Sequence, residues 1–464
     1  MVDLRHGSII NLPISGLSSS GSGVGILQMD GCRYRVFVPD AAPGDVVEVK
    51  VASIDGPLVH GNLQNVVSKG KDRVDAPCPY FGVCGGCTSQ HVSYSRQLVE
   101  KRDLVSRSLS PVIPDIARKV KEVIPASTPY GTRTRGRFHV AVGPDFTVLG
   151  LHASRSDDVV DIESCMAVVP RINEALAWVR RFWLDELPDL SQVEFVVDEL
   201  KGRVIAVAYP PIDNSSPGGK PRWDDILMPE EQPPKWLSIQ VGERQEGAHF
   251  YPLKGDRPLR FAPEVFSQSD FVQNRVLVQE VLNACAVKKT DRVLDLCCGV
   301  GNFSLPLSQK AKVVEGVEGS RRAVELASKN ALRWGARNVM FVKGDVSRAL
   351  YGLARKGKRF DVVVLDPPRV GVGVSVESLD SICARRLVYV SCDPRSLAKD
   401  LAWIKTFKVK YAQPIDMFPQ TMHVETVVVM DKDHSKDSKS VSGMPKRSVA
   451  KRPVLKETVK IEDL

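Results

Sequence analysis

One stretch of the sequence sets a thiol where it could do chemistry. In "LVYVSCDPRSL", Leu387 to Leu397, an apolar run ends on Cys392 and is followed at once by Asp-Pro. The run reads as a buried strand, and Asp-Pro stops it. A cysteine inside a protein ordinarily packs as a small hydrophobe. At the carboxyl tip of a parallel strand, however, it faces the crevice in which open α/β sheets hold ligands. That placement suits a nucleophile. Among the neighbouring thiols, Cys297 and Cys298 lie beside a glycine turn and Cys383 is expected within a helix.

A second stretch, "RVLDLCCGVGNFSL", reads as a strand, a tight turn carrying Gly299 and Gly301, and a helix starting near Asn302 or Phe303. Glycine lets the backbone turn sharply and brings a ligand close without a Cβ between. After the next strand, "VVEGVEGS" supplies Glu318, an acidic side chain that can accept hydrogen bonds from ribose hydroxyls. The pattern implies a nucleoside-containing cofactor. A dinucleotide fingerprint wants a third glycine, and Ser304 stands there instead. S-adenosylmethionine, which has no pyrophosphate, is therefore favoured. The later strand end "VVVLDPPRVG" puts Asp366 at the same edge, with two prolines fixing the loop that leaves it.

A third group lies upstream. "CPYFGVCGGC" gives Cys78, Cys84 and Cys87 in a C-x5-C-x2-C array, and "DIESC" adds Cys165. Three close thiols and a remote fourth suit an iron–sulfur cluster or tetrahedral zinc, both of which accept four thiolates. A disulfide scaffold is excluded by the uneven spacing of only ten cysteines in 464 residues.

The elements that must position these groups fall into modules, since single cores rarely exceed roughly 250–300 residues. Residues 1–70 alternate in short runs, "YRVFV" and "VVEVKV", with Asp30-Gly31 and Pro43-Gly44 as turns, and predict a small β-barrel. Residues 71–262 mix a helix, "SYSRQLVEKRDLVSRSL", with extended runs and an amphipathic helix, "RINEALAWVRRFWLDEL", as an α+β unit. Its loop "PPIDNSSPGGKPRWDD" reads as a mobile insertion. From 263 to 430 strands alternate with helices, predicting a mostly parallel, doubly wound α/β sheet. Residues 431–464 are charged and aperiodic, and read as a disordered basic tail. With 64 Lys and Arg against 55 Asp and Glu, the net charge is +9, which favours an anionic partner such as nucleic acid. No apolar run approaches the roughly 18–20 residues of a membrane span, so a cytoplasmic protein without membrane attachment is expected. Nothing in the sequence implies a protein partner.

Together "DLCCGVGNFSLPL", "LDPPRVG", "VYVSCDPRSLAKDL" and "DMFPQTMHVETVVVM" resemble the RNA uracil-5-methyltransferase family, and "GVGILQMDG" with "VFVPDAAPGDVVEV" resembles its OB-like, RNA-binding TRAM domain. The resemblance implies a class I S-adenosylmethionine-dependent enzyme forming 5-methyluridine in RNA, 23S ribosomal RNA first and transfer RNA second. It implies that Cys392 adds to C6 of uracil and that Glu425 removes the C5 proton afterwards. Gln268, the backbone around Cys297, Asn302, Glu318, Asp345 and Asp366 would line the cofactor pocket. Arg133 and Arg135 match a basic segment directed at the active site. Cys78, Cys84, Cys87 and Cys165 match the branch that holds a [4Fe-4S] cluster. Two positions depart from the family: Cys297 replaces an aromatic residue, and Asp270 replaces an asparagine.

Three other readings compete. A nicotinamide dehydrogenase would carry a full pyrophosphate fingerprint and leave Cys392 idle. An RNA cytosine-5-methyltransferase would place Pro-Cys where this chain has "DPPR". A non-catalytic RNA-binding or assembly protein would have no use for both Cys392 and Glu425.

Overall fold

The structure is a computed structural model that describes residues 4–29, 31–143, 146–184, 191–209, 229–241 and 247–435. The expected mobile insertion, the end of the second helix and the tail beyond 435 lie outside the described residues.

The chain begins with five strands, β1 (Ile9–Leu17), β2 (Gly23–Met29), β3 (Cys32–Val38), β4 (Val46–Asp55) and β5 (Leu58–Ser68), closed in the order β1-β2-β3-β5-β4. Period-2 patterning makes this barrel: along β4, Val47, Val49 and Val51 are buried while Lys50 faces out. They pack on Leu12, Ile14, Val36, Val38 and Val59. Gly25 is required at a close approach, because a Cβ there would stand 2.6 Å from both the Leu12 side chain and the Pro13 carbonyl.

Helix α1 (Tyr94–Leu109) leads to a six-stranded sheet made of β6 (Arg135–Val142), β7 (Thr147–His152), β8 (Val159–Asp161), β9 (Gln192–Asp198), β10 (Arg203–Tyr209) and β11 (Leu237–Val241), ordered β11-β10-β9-β6-β7-β8. Helix α2 (Pro170–Phe182) covers one face, packing Ile172, Leu176 and Val179 on Phe138, Phe195 and Val204. A small hairpin, β12 (Ala248–Phe250) and β13 (Leu259–Phe261), precedes helix α3 (Phe271–Cys285).

Beyond α3 the sequence alternates β14 (Arg292–Leu296), α4 (Ser304–Ser308), β15 (Val313–Glu318), α5 (Arg321–Trp334), β16 (Val339–Lys343), α6 (Val346–Arg355), β17 (Phe360–Leu365), α7 (Leu379–Ile382), β18 (Cys383–Ser391), α8 (Pro394–Leu401), β19 (Phe407–Ile415) and β20 (Glu425–Lys432). The seven strands run in the order β16-β15-β14-β17-β18-β20-β19, the first five parallel. Their near-continuous apolar runs follow from burial on both faces. Val362, Val364, Val388 and Val390 look toward α3, while Val363, Leu365, Leu387 and Tyr389 join Val105 and Leu109 of α1 on the other side. Cys383 is a correction: it opens β18 instead of lying in a helix, because α7 lasts only from Leu379 to Ile382. Among the described residues no helix is long and apolar enough to cross a membrane.

The barrel prediction follows from Gly25. A Gly25→Ala variant should lose about 1–3 kcal/mol by overpacking, read as a lower urea midpoint at unchanged slope.

Candidate active site

In the parallel part of the sheet the chain winds one way from β14 through β15 to β16, and the other way from β17 to β18. The switch point therefore lies between the carboxyl ends of β14 and β17, the place where doubly wound sheets bind ligands. Leu296 and Leu365 are the paired strand ends, so Cys297 and Asp366 leave the sheet side by side.

The turn after β14 is shaped for a ligand. Cys297 has φ +62°, Gly299 φ +53° and Gly301 φ +98°, a run of left-handed residues that turns the chain toward α4. A Cβ on Gly299 would meet no atom within 4 Å, so the turn borders open space. Glu318, at the end of β15, accepts from the Gly299 amide at 3.0 Å and the Ser320 amide at 2.8 Å. Asn302 and Asn274 of α3 exchange side-chain hydrogen bonds at 2.9 and 3.0 Å. Gln268 is buried just before α3, whose first turn is capped by Asp270 accepting from the Gln273 amide at 2.8 Å. Asp345 is exposed and caps α6 through the Arg348 amide at 3.0 Å.

Carboxyl groups crowd this edge. Asp295 is fully buried and takes one hydrogen bond, 2.5 Å from the Ser304 hydroxyl, while its Oδ1 has no partner. Burial pushes its pKa up to about 7, and Glu318 adds to the shift. Asp366 is likewise pushed up to about 7 by desolvation and then by Asp295 and Glu318. Desolvation, with Asp366, Glu318, Asp295 and Asp345 as like charges, raises the Cys297 thiol. Of the six expected cofactor positions, Glu318, Asp345 and Asp366 act on the Cys297 thiol as like charges, Asn302 bonds to Asn274 of α3, and Gln268 lies buried just before that helix. An excess of half-neutral carboxyls and an orphaned oxygen fit a cationic sulfonium better than a polyanionic pyrophosphate.

Cys392 and Glu425 are brought together by register. Strands β18 and β20 are antiparallel and pair Arg386 with Asp431, and so on to Ser391 with Thr426. Cys392, just past the end of β18, and Glu425, the first residue of β20, are the next residues on the two sides of that ladder. Residues opposite each other in an antiparallel pair share a face with Cα atoms about 4.5–5.5 Å apart. Desolvation and the Glu425 charge push the Cys392 thiol up to about 11, while Arg369 lies close enough to hydrogen-bond the sulfur and oppose the shift. Glu425 is 3 % exposed, its Oε1 has no partner, and desolvation followed by Asp366 raises its pKa well above 4.5. His423, on the way to Glu425, is pushed down to about 4 by desolvation and nearby cations and stays neutral.

Two basic residues divide their roles differently from the expected pair. Arg135 is held in the framework, donating to Glu194 at 2.7 Å and to the Val265 carbonyl at 2.9 Å. Arg133 lines a cavity with Cys78, Cys84, Cys87 and Cys165, and its charge is felt at His423. The four thiols therefore share one cavity, which Leu151 of β7 and Ile162 just past β8 also line, with the Gly86 amide 3.4 Å from the Cys84 sulfur. Among the described residues no group of three or more His, Cys, Asp or Glu side chains stands ready to hold a metal ion. Sequence reasoning missed Arg369, although it is the fourth residue of the quoted "DPPR".

The raised Glu425 has a consequence for stability. Just above 4.5 the unfolded chain ionises this group while the folded chain still holds its proton, so rising pH favours unfolding through it. A Glu425→Gln protein should melt higher than the parent at about pH 8, the gap closing toward about pH 4; a gap independent of pH would show an ordinary carboxylate.

Comparison with known proteins agrees with this geometry. Residues 255–433 match the tRNA (Uracil-5-)-methyltransferase family model, and residues 3–55 match the TRAM domain. An uncharacterized RNA methyltransferase of Clostridium tetani is 30 % identical, over 92 % of this chain and 97 % of that protein. The 23S rRNA (uracil(1939)-C(5))-methyltransferase of a Marinomonas strain is 30 % identical, over 92 % of this chain and 96 % of its own. The crystal structure of the Pyrococcus abyssi tRNA (uracil-54, C5)-methyltransferase with S-adenosyl-L-homocysteine shares the fold, with a TM-score of 0.66, 22 % identity and coverage of 91 % of this chain and 100 % of that one. Barrel, sheet and near full-length likeness lead to one conclusion: the chain belongs to the RNA uracil-5-methyltransferase family.

Proposed function

We propose that this protein methylates C5 of a uridine in 23S ribosomal RNA, using Cys392 as nucleophile and Glu425 as base. The reading is supported by the β18–β20 ladder, which pairs Ser391 with Thr426, the residues next to Cys392 and Glu425, and by the Glu425 charge acting on the Cys392 sulfur. Bound S-adenosylmethionine supplies an electrophilic methyl group on a sulfonium. Gln268, the Cys297 backbone, Asn302, Glu318, Asp345 and Asp366 are the residues that would hold it.

C5 of uracil is a weak nucleophile. When the Cys392 sulfur bonds to C6, the C5–C6 π electrons move to C5 and O4, and C5 takes the methyl group as the carbon–sulfonium bond breaks. C5 then bears both the methyl and its hydrogen. Glu425 takes part as its carboxylate: it accepts that proton, the C5–C6 double bond re-forms, the C6–S bond breaks to free the Cys392 thiolate, and the proton then passes from Glu425 to solvent. Arg369, beside the sulfur, favours the thiolate that starts the cycle. The thiol is sunk at a strand end, so the uridine must leave any stack to reach it.

Support for ribosomal RNA is the near full-length likeness to the Marinomonas enzyme. Mapping 5-methyluridine in cells lacking the protein decides the target: loss at one 23S position is expected, and loss in transfer RNA alone would overturn this choice. In vitro, Cys392→Ala should abolish methyl transfer and adduct formation. Glu425→Gln should transfer the methyl and then stall as an RNA–protein adduct that survives denaturing electrophoresis; methylation by the Cys392→Ala protein would sink the mechanism.

Asp366 gives a pH test of the cofactor pocket. It ionises near 7, and its anion attracts a sulfonium but not a neutral thioether. The affinity of S-adenosylmethionine relative to S-adenosylhomocysteine should therefore rise between about pH 6 and 8. Asp366→Asn should flatten that ratio, as read by calorimetry.

Cys78, Cys84, Cys87 and Cys165 are proposed to hold a [4Fe-4S] cluster. They line one cavity of about 40 Å³, and Cys165 and Cys78 act on Cys84, as Cys165 and Cys84 do on Cys87, as like charges, a grouping of four thiols that suits a cluster. Protein purified without oxygen should contain iron and acid-labile sulfide in equal amounts. Stoichiometric zinc instead would overturn the assignment.

A further inference from the structure

Glu425 closes the connection from β19 to β20, where Ile415 pairs with it. The residues between, 416 to 424, have no strand neighbours of their own. They are held from outside, by one face of α1. Tyr94, Gln97 and Lys101 are spaced i, i+3 and i+7, so they project to the same side of that helix.

Lys101 is buried completely and places its ammonium 2.5 Å from Asp416, which is equally buried, and 3.0 Å from the Phe418 carbonyl. The Tyr94 hydroxyl donates to the other Asp416 oxygen at 2.9 Å and accepts from the Ala126 amide at 2.8 Å. Gln97 and Gln420 grip each other twice: the Gln97 Nε2 donates to the Gln420 Oε1 at 3.0 Å, and the Gln420 amide donates to the Gln97 Oε1 at 3.2 Å. Gln420 sits at φ +66°, a backbone state that a side chain disfavours, and its carbonyl accepts from the Thr88 and Ser89 amides. A lysine buried without exposure is costly unless it is fully paired. Here both of its hydrogen bonds go to residues of a connection that ends at Glu425.

We infer that Lys101 and Gln97 are positioning residues for Glu425: helix α1 clamps the 416–424 connection so that the carboxyl stays aimed at C5 of the methylated adduct. The inference rests on the reading of Glu425 as the base. It makes a specific kinetic demand. Loosening the clamp disturbs proton removal, the last chemical step, while attack by Cys392 and methyl transfer, which use groups on β18 and the cofactor crevice, continue.

The test compares three full-length proteins on one RNA substrate with labelled S-adenosylmethionine: Gln97→Leu, the paired Lys101→Met with Asp416→Leu, and Glu425→Gln. Replacing both members of a buried ion pair by apolar residues preserves packing better than removing one. Circular dichroism and cofactor affinity establish that each is folded, and Gln97→Leu alone carries the test if the paired variant is not. The expected result is methylated adduct forming at the parent rate but resolving roughly tenfold to a hundredfold more slowly, the scale of a small misplacement of a reacting group. Formation and resolution slowing together, or both staying at parent rates, would overturn the inference while a stalled Glu425→Gln adduct left the base assignment standing. A Glu425→Gln protein that resolves its adduct normally overturns both.

Discussion

Everything at this site depends on one hydrogen-bonded register, the antiparallel ladder between β18 and β20. Strand side chains alternate with a period of two, so the face on which Glu425 points is decided by which residue of β18 lies opposite it. With Ser391 against Thr426, Cys392 and Glu425 are the next residues on either side, and the Glu425 charge acts on the thiol. A slip of one residue would turn the carboxyl to the other side of the sheet, with every buried valine of β20 following it. The apolar pattern that buries both faces therefore enforces the chemistry as well as the fold.

Burial does the rest of the electrostatic preparation. Asp295, Asp366 and Glu425 lie close together in a setting that disfavours three negative charges, so each is driven toward its neutral form. Such a site stores an affinity for positive charge. A sulfonium relieves the crowding, and its conversion to a thioether during reaction restores it, which favours release of the spent cofactor. Around this centre α1 acts as a strut. Its Glu100 accepts from the Leu17 amide of the barrel at 2.8 Å, while Lys101, the next residue, holds the base-bearing connection. An RNA-binding barrel and a catalytic sheet are thus tied to successive residues of one helix.

Much of this was legible in the chain. The barrel showed in its alternating valines, the parallel sheet in its β-branched runs, the tight turn after β14 in Gly299 and Gly301, and the proposed nucleophile in a cysteine set against Asp-Pro. Those signals are local, and local physics makes them. The partnership of Cys392 with Glu425 was reached only through family likeness, since strand order is a long-range property: nothing near Glu425 says that β20 will lie between β18 and β19. The clamp was invisible for the same reason, because Tyr94, Gln97 and Lys101 look like the polar side of an ordinary helix until Asp416 and Gln420 arrive. Arg369 could have been found, as it follows the same two prolines that drew attention to Asp366. Arg135 was misjudged in the other direction, since a basic turn reads alike whether its guanidinium faces a ligand or a buried glutamate.

The position of β20 also bears on how the protein is made. Among the described residues this strand is the last, yet it lies inside the sheet, with β19, which precedes it, on the outer flank. During synthesis β18 and β19 are finished first and leave a lane between them, its amides and carbonyls unpaired until β20 slots in. The thiol exists before that moment and the carboxyl arrives with it. Filling the lane completes the sheet and brings the proposed base to the proposed nucleophile in a single step.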